Sequence, residues 1–154
     1  STFSGVKRRQ EIRGQVAGIT VMDDFAHHPT AVKETIAAVK PFYPQGRLVA
    51  VFEPRTNTSM RNIFQATYPA CFDLADLVCI CSPEVKKNIP ENERFSPERL
   101  TEDICNRGRA AQYFQNPGRV IDFLALELKP KDLVLVMSNG GFGNIHQRLL
   151  ERLG

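Results

Sequence analysis

No stretch of this sequence approaches the ~20 consecutive apolar residues that a membrane-spanning helix needs. The N-terminal "STFSGVKRRQEIRG" has no apolar core, so it does not read as a secretory signal. No CxxC pair occurs among Cys71, Cys79, Cys81 and Cys105. With no export signal, the chain is expected to be cytoplasmic and all four thiols reduced, as buried structural residues. Histidine is scarce: His27, His28 and His146 are the whole set, and adjacent histidines rarely ligate one metal well, so no metal site is expected. The formal charge of +3 falls short of the basic stripe of a nucleic-acid binder, and no nucleic-acid partner is expected. Linkers, repeats and low-complexity stretches are missing too. Neither GxGxxG nor GxxxxGK[ST] occurs, so the chain lacks the familiar cradles for a dinucleotide or a triphosphate.

What is there is an alternation. The 154 residues, 42% apolar and 24% charged, suffice for one domain with a real core. "QEIRGQVAG" and "GITVMDDF" read as two strands joined at Ala17-Gly18, an opening hairpin. "HPTAVKETIAAVKPFYP" reads as a helix, with Val32, Ile36 and Val39 on one side, Pro29 in the first turn and Pro41 and Pro44 ending it. Strand "GRLVAVFEP", helix "TSMRNIFQATYPACF" and strand "ADLVCICSP" follow. Cys79 and Cys81 alternate within that strand and so share one face. Ser96 and Pro97 open a helix through "SPERLTEDICNRG". "AAQYFQ" is a short strand, "PGRVIDFLALEL" a helix with Val120, Phe123, Leu124 and Leu128 on one side, "KDLVLVMS" a strand and "NIHQRLLERL" the last helix. This order predicts an α/β fold: a Rossmann-like, doubly wound, mostly parallel sheet with helices on both faces, opening with a β-hairpin.

Ligands of such sheets bind outside the carboxyl ends of the strands. The unusual residues all follow strands: Asp23-Asp24-Phe25-Ala26-His27-His28, then "EPRTNTSMR", Ser82-Pro83-Glu84, and "SNGGFGN". The opposite edge carries what read as ordinary turn residues, Gln45-Gly46 and Pro130-Lys131. The glycines of "SNGGFGN" let backbone N–H groups approach an anion, or simply make a tight strand-to-helix turn. Arg55 among short polar side chains suits a carboxylate or a phosphate, or else caps a helix start at the surface. Asp24 with a histidine beside it suits the hydroxyls of a ribose or a bound water.

Together "GVKRRQEIRG", "DDFAHHPT", "VFEPRTNT" and "VMSNGGFGNIH" resemble the C-terminal domain of the Mur ligases, over nearly the whole chain. "EPRTNT" and "SNGGFG" are most similar to the member that takes a ready-made tripeptide in cell-wall peptide recycling. The member that adds L-alanine typically has a histidine- and arginine-rich segment in place of the first, and an alanine between two glycines in the second. The resemblance implies an ADP-forming amide ligase of three domains. The first holds UDP-N-acetylmuramate; the central one holds Mg²⁺ and most of the ATP; residues 1–154 form the third. Lacking a P-loop, the chain is expected to be a folded but inactive fragment. The family chemistry is phosphorylation of the UDP-N-acetylmuramate carboxylate to an acyl phosphate. The α-amine of L-Ala-γ-D-Glu-meso-diaminopimelate then attacks it.

Carried over onto this sequence, Asp24 matches the motif acid expected at the nucleotide ribose, His27 the histidine beside it, and Arg9 the arginine expected by the phosphates. Arg55, Asn57, Thr58 and Ser59 are candidates for the tripeptide carboxylates, with Asn139, Gly140 and Gly141 along the same pocket. Asp23 and His28 are left to shape the turn. The diaminopimelate-adding member uses an Asp-Asn-Pro-Arg motif that this chain lacks, so no residue is carried over for the diaminopimelyl end. Two other readings stand: the L-alanine-adding ligase of the same family, and a non-catalytic nucleotide-binding α/β module, for which a glycine-rich turn after the first strand is missing.

Overall fold

The computed structural model describes residues 9–54, 62–82, 94–138 and 140–154. Strands β1 (Glu11–Val16) and β2 (Ile19–Asp24) pair antiparallel. Their turn residues Ala17 and Gly18 both have positive φ, 54° and 79°, as a type I′ hairpin requires. β3 (Leu48–Phe52), β4 (Leu77–Cys81), β5 (Ala110–Phe114) and β6 (Leu133–Met137) complete a six-stranded sheet among the described residues, in the order β1-β2-β6-β3-β4-β5. Every pairing beyond the hairpin is parallel. The last strand is thus inserted between β2 and β3, which brings the carboxyl ends of three sequence-distant strands side by side: Asp24 faces Met137, and Met137 faces Phe52.

The central strands are apolar at nearly every position because both faces are covered. Leu48, Ala50 and Phe52 point into one core with α1 (Pro29–Val39), α2 (Tyr68–Cys71) and α3 (Pro97–Asn106). Val49 and Val51 point into the other, with α4 (Pro117–Glu127) and α5 (Ile145–Leu153). The period of two along a strand decides which core each side chain enters. Ser96 caps α3 by accepting from the Arg99 N–H at 3.1 Å, and Pro97 is the first helical residue. α1 stops at Val39 and becomes a 3-10 turn, Lys40–Phe42, because Pro41 has no N–H to continue the ladder. Cys79 and Cys81 share the α4/α5 face as their spacing predicts. Burial pushes both thiols up, Cys81 to about 12, which leaves them as inert apolar groups.

Three expectations need correction. The helix through "TSMRNIFQATYPACF" is broken in its described part into a 3-10 turn at Asn62–Phe64 and the four-residue α2. Pro69 is the reason: it cannot donate to the carbonyl one turn back, and its ring would strike it. Cys105 is exposed rather than buried. And the amino-end turns are not ordinary. A Cβ on Gly46 would lie 1.8 Å from the Lys131 carbonyl oxygen, so the two turns touch backbone to backbone.

That contact sits beside a buried carboxylate. Asp132, 2% exposed, accepts from the Arg47 N–H at 3.0 Å, from Arg47 Nη2 at 2.8 Å and from the Lys129 N–H at 2.9 Å. Arg47 Nη1 also donates to Glu127 Oε2 at 2.9 Å. Burial alone would push the Asp132 carboxyl up, but the Arg47 guanidinium and the two N–H donors outweigh it and hold it below the ordinary carboxylate range. Its folded pKa is therefore lower than its unfolded one, and the stability it contributes is full above the unfolded value. That contribution is lost as pH falls through the folded value. Asp132→Asn is expected to cost about 2 kcal/mol at pH 7, since it removes the buried carboxylate of the pair and leaves Arg47 with Glu127 as its one anionic partner among the described residues. Urea denaturation of both proteins from pH 7 down to pH 3 checks this: the gap should narrow in acid, and a constant gap would mean lost packing rather than lost charge.

Candidate functional site

The two acids that end β2 part company. Successive strand residues face opposite ways, so Asp24 turns toward α1 and Asp23 toward α5. Asp24 is 4% exposed. Its Oδ2 accepts from the Gln10 N–H at 2.8 Å and its Oδ1 from the Ala26 N–H at 2.7 Å, with Thr35 Oγ1 at 3.5 Å. Gln10 takes positive φ, 50°, in the residue before β1, which aims its N–H back at Asp24. The Ala26 bond is a local Asx-type closure that starts the turn. Burial raises the Asp24 carboxyl above its ordinary range, although the two N–H donors and the nearby charge of Arg9 pull the other way. A carboxylate has about four acceptor positions, so the backbone does not exhaust this one.

Arg9, Asp24 and His27 line one open cleft of about 420 Å³, together with Gln10, Glu34 and Thr35. Three of the residues singled out by motif therefore meet in space. His27 Nδ1–H donates to the Phe25 carbonyl at 2.8 Å; a carbonyl can only accept, so this bond requires the proton on Nδ1 and leaves Nε2 as the ring's second polar position. The His27 and His28 rings lie 4.2 Å apart. Burial, and then the charge of His27, lower the His28 pKa. His28 precedes α1 as its N-cap without a side-chain capping bond, and Pro29 is the first helical residue.

Asp23, expected only to shape this turn, belongs to the other face. It is fully buried, 3.4 Å from Arg13 Nη1 and 3.3 Å from Nε2 of His146. That pairing ties the first turn of α5 to the end of β2, and it separates His146 from the other two histidines. Strand alternation could have parted the two acids in advance. The partner, 123 positions on (146 − 23), had no local signal.

Gly140 and Gly141 follow β6 at the same sheet edge, but neither lines the cleft with Asp24. The Gly140 N–H donates to Ser138 Oγ at 3.1 Å, and Ser138 Oγ donates to Glu53 Oε1 at 3.3 Å, so the turns after β6 and β3 are tied together. The Ser138 N–H reaches the Asp24 carbonyl at 3.3 Å. Arg55, Asn57, Thr58, Ser59 and Asn139 lie outside the described residues. Sequence reasoning passed over Tyr68: its hydroxyl donates to the His27 carbonyl, and its ring is fully buried against Phe52, Phe64 and Phe95.

Among the described residues no helix is long and apolar enough to cross a membrane. Chemically the cleft offers a buried acceptor, an exposed cation and an imidazole, a set suited to a ligand with hydroxyls and an anionic group. The UDP-N-acetylmuramate--L-alanyl-gamma-D-glutamyl-meso-2,6-diaminoheptandioate ligase of Haemophilus influenzae is 38% identical over 154 residues, 99% of this chain and 32% of its own length. The UDP-N-acetylmuramate--L-alanine ligase of Geobacter sulfurreducens is 37% identical over 148 residues, 96% of this chain and 31% of its own length. The chain thus spans about a third of the length of the relatives it matches. The crystal structure of the murein peptide ligase of Psychrobacter arcticus superposes with a TM-score of 0.79 at 37% identity, covering 100% of this chain and 31% of that one. The family model described as "Mur ligase, glutamate ligase domain" matches residues 8–140, and the chain belongs to the Mur ligase family as its C-terminal domain.

Proposed function

We propose that residues 1–154 are the C-terminal third of a cytoplasmic, ADP-forming ligase that joins UDP-N-acetylmuramate to L-Ala-γ-D-Glu-meso-diaminopimelate. The observation that carries this is the convergence of Arg9, Asp24 and His27 on one cleft at the carboxyl edge of the sheet. In this reading Asp24 accepts from the nucleotide ribose, with His27 beside it, and Arg9 lies by the phosphates. The donor set fits: a carboxylate buried at 4% exposure meets sugar hydroxyls, and an arginine meets anions. ATP supplies the phosphoryl group that activates the sugar-nucleotide carboxylate. ATP and Mg²⁺ are held mainly by a central domain beyond this chain, and UDP-N-acetylmuramate by a first one. What the present residues contribute is orientation and charge placement, the larger part of catalysis in such transfers.

Arg55, Asn57, Thr58 and Ser59 are proposed to take the tripeptide carboxylates, with Asn139, Gly140 and Gly141 alongside. The tie from Gly140 through Ser138 to Glu53 supports placing the last group near the strand that precedes Arg55. A guanidinium forms two parallel bonds to a carboxylate, which an ammonium cannot. In the full-length enzyme, Arg55→Lys is expected to lower kcat/KM for the tripeptide about tenfold to a hundredfold, with little change for ATP. Steady-state kinetics with each substrate varied in turn checks it; movement of the ATP constants alone would reassign Arg55 to the phosphates.

The function itself is tested by measuring ADP release from the full-length protein with UDP-N-acetylmuramate and either the tripeptide or L-alanine. Release with the tripeptide is the expected outcome. The 37% identity to an L-alanine ligase makes release with L-alanine alone the rival result, and no ATP-dependent release with either would leave a binding module.

A further inference from the structure

We infer that Tyr68 is a positioning residue for the nucleotide-side turn, its buried hydroxyl fixing the main chain of His27 at the mouth of the cleft; this rests on the functional reading above. The residue comes from a different loop than the one it holds. Tyr68 begins α2, in the segment between β3 and β4, while His27 follows β2. The hydroxyl donates to the His27 carbonyl across 41 positions of sequence. A carbonyl at a turn has no helix or ladder partner to fall back on, so a buried donor aimed at it sets where the turn sits.

The donor is itself rigid. Its ring is 0% exposed and lies 5.2 Å from the Phe52 ring, 6.2 Å from Phe64 and 5.5 Å from Phe95. Burial, with Cys71 nearby, raises the phenol far above its ordinary value, so the hydroxyl stays a donor at any working pH. The segment carrying it is anchored again three residues earlier. Gln65 Nε2 donates to the Ser96 carbonyl at 3.0 Å, and Gln65 Oε1 accepts from the Ser96 N–H at 2.7 Å, which fastens it to the start of α3. His28 adds an edge contact to Phe64 at 6.0 Å on the same side. The histidine turn thus rests on a fixed aromatic block rather than on its own short loop. The strand it leaves, β2, gives it one end, and Tyr68 gives it the other.

Tyr68→Phe keeps the ring and removes only the donor. In the full-length enzyme it is expected to raise KM for ATP about tenfold, lower kcat less, and leave KM for the tripeptide within about twofold. Phe52→Leu is the control, because it loosens the same aromatic block without touching the hydrogen bond. ATP constants at the wild-type value in Tyr68→Phe would overturn the inference. So would the same change in Phe52→Leu at an equal loss of thermal stability, since packing alone would then explain it. A wild type with no ATP-dependent ligation sinks the functional reading, and this inference with it. An active wild type beside an unaltered Tyr68→Phe sinks the inference alone.

Discussion

Gly46→Ala is expected to lower the thermal midpoint of the domain by about 10 °C or more. The new Cβ would sit 1.8 Å from the Lys131 carbonyl oxygen, 2.3 Å from its carbon and 2.9 Å from the Asp132 nitrogen. All three are main-chain atoms, so no side chain can swing aside. The chain must separate the start of β3 from the start of β6. That movement pulls on the Leu133 N–H to Arg47 carbonyl bond at 2.9 Å and on the Arg47 bonds to Asp132. Overpacking that shifts side chains and backbone costs about 1–3 kcal/mol and occasionally more, and strained buried ion pairs add to it. A loss of about 4 kcal/mol would consume much of the stability of an ordinary domain. Gly141→Ala is the matched control. Gly141 has φ −72° and a Cβ there meets nothing within 4 Å, so its midpoint should hardly move. Calorimetry or a dichroism melt of the two variants decides the matter; equal, small shifts would mean the amino-end turns yield more easily than their packing implies.

Asp24→Asn should have the largest effect on activity and a contrary effect on stability. In the full-length enzyme kcat/KM for ATP is expected to fall about a hundredfold, the worth of a hydrogen bond to a charged group. The tripeptide constants should follow much less. The stability sign comes from the raised carboxyl. A folded pKa above the unfolded one means that ionisation favours the unfolded chain. The resulting cost is absent below the unfolded value and complete above the folded one. Asparagine never ionises, so the stability of the variant relative to wild type should rise with pH from about 3 toward neutrality, whatever fixed penalty the amide incurs against the Gln10 and Ala26 N–H groups. Denaturant titrations across that range, on the domain alone, supply the second half of the test. A relative stability that stays flat or falls with pH would remove the argument that Asp24 is kept charged at a structural cost. Unchanged ATP kinetics would remove its functional role.

Much of this protein was legible in its residues. Short apolar, β-branched runs bounded by turn residues gave the strands, and Pro29, Ser96-Pro97 and Pro41 marked helix ends, because these effects act within one turn or one short segment. The same local logic put Asp24 and His27 on the carboxyl edge; Arg9, which came from the family resemblance alone, lines the same cleft. Local pattern failed where a single residue overruled its neighbours. Pro69 broke a helix whose flanking residues favoured one. Gly46, read as an ordinary turn residue, turned out to be the point where two backbones touch.

What only the tertiary structure decided is non-local. The insertion of β6 between β2 and β3 sets Ser138 beside Glu53 and against the Asp24 carbonyl, and nothing in any of those segments specifies it. The assignment of Asp23 to His146 and of His27 to Tyr68 follows from the same packing. Each is a contact between groups far apart in sequence. Its formation depends on how two cores fill on either side of one sheet, a global balance of packing and chain entropy that no short window of residues contains.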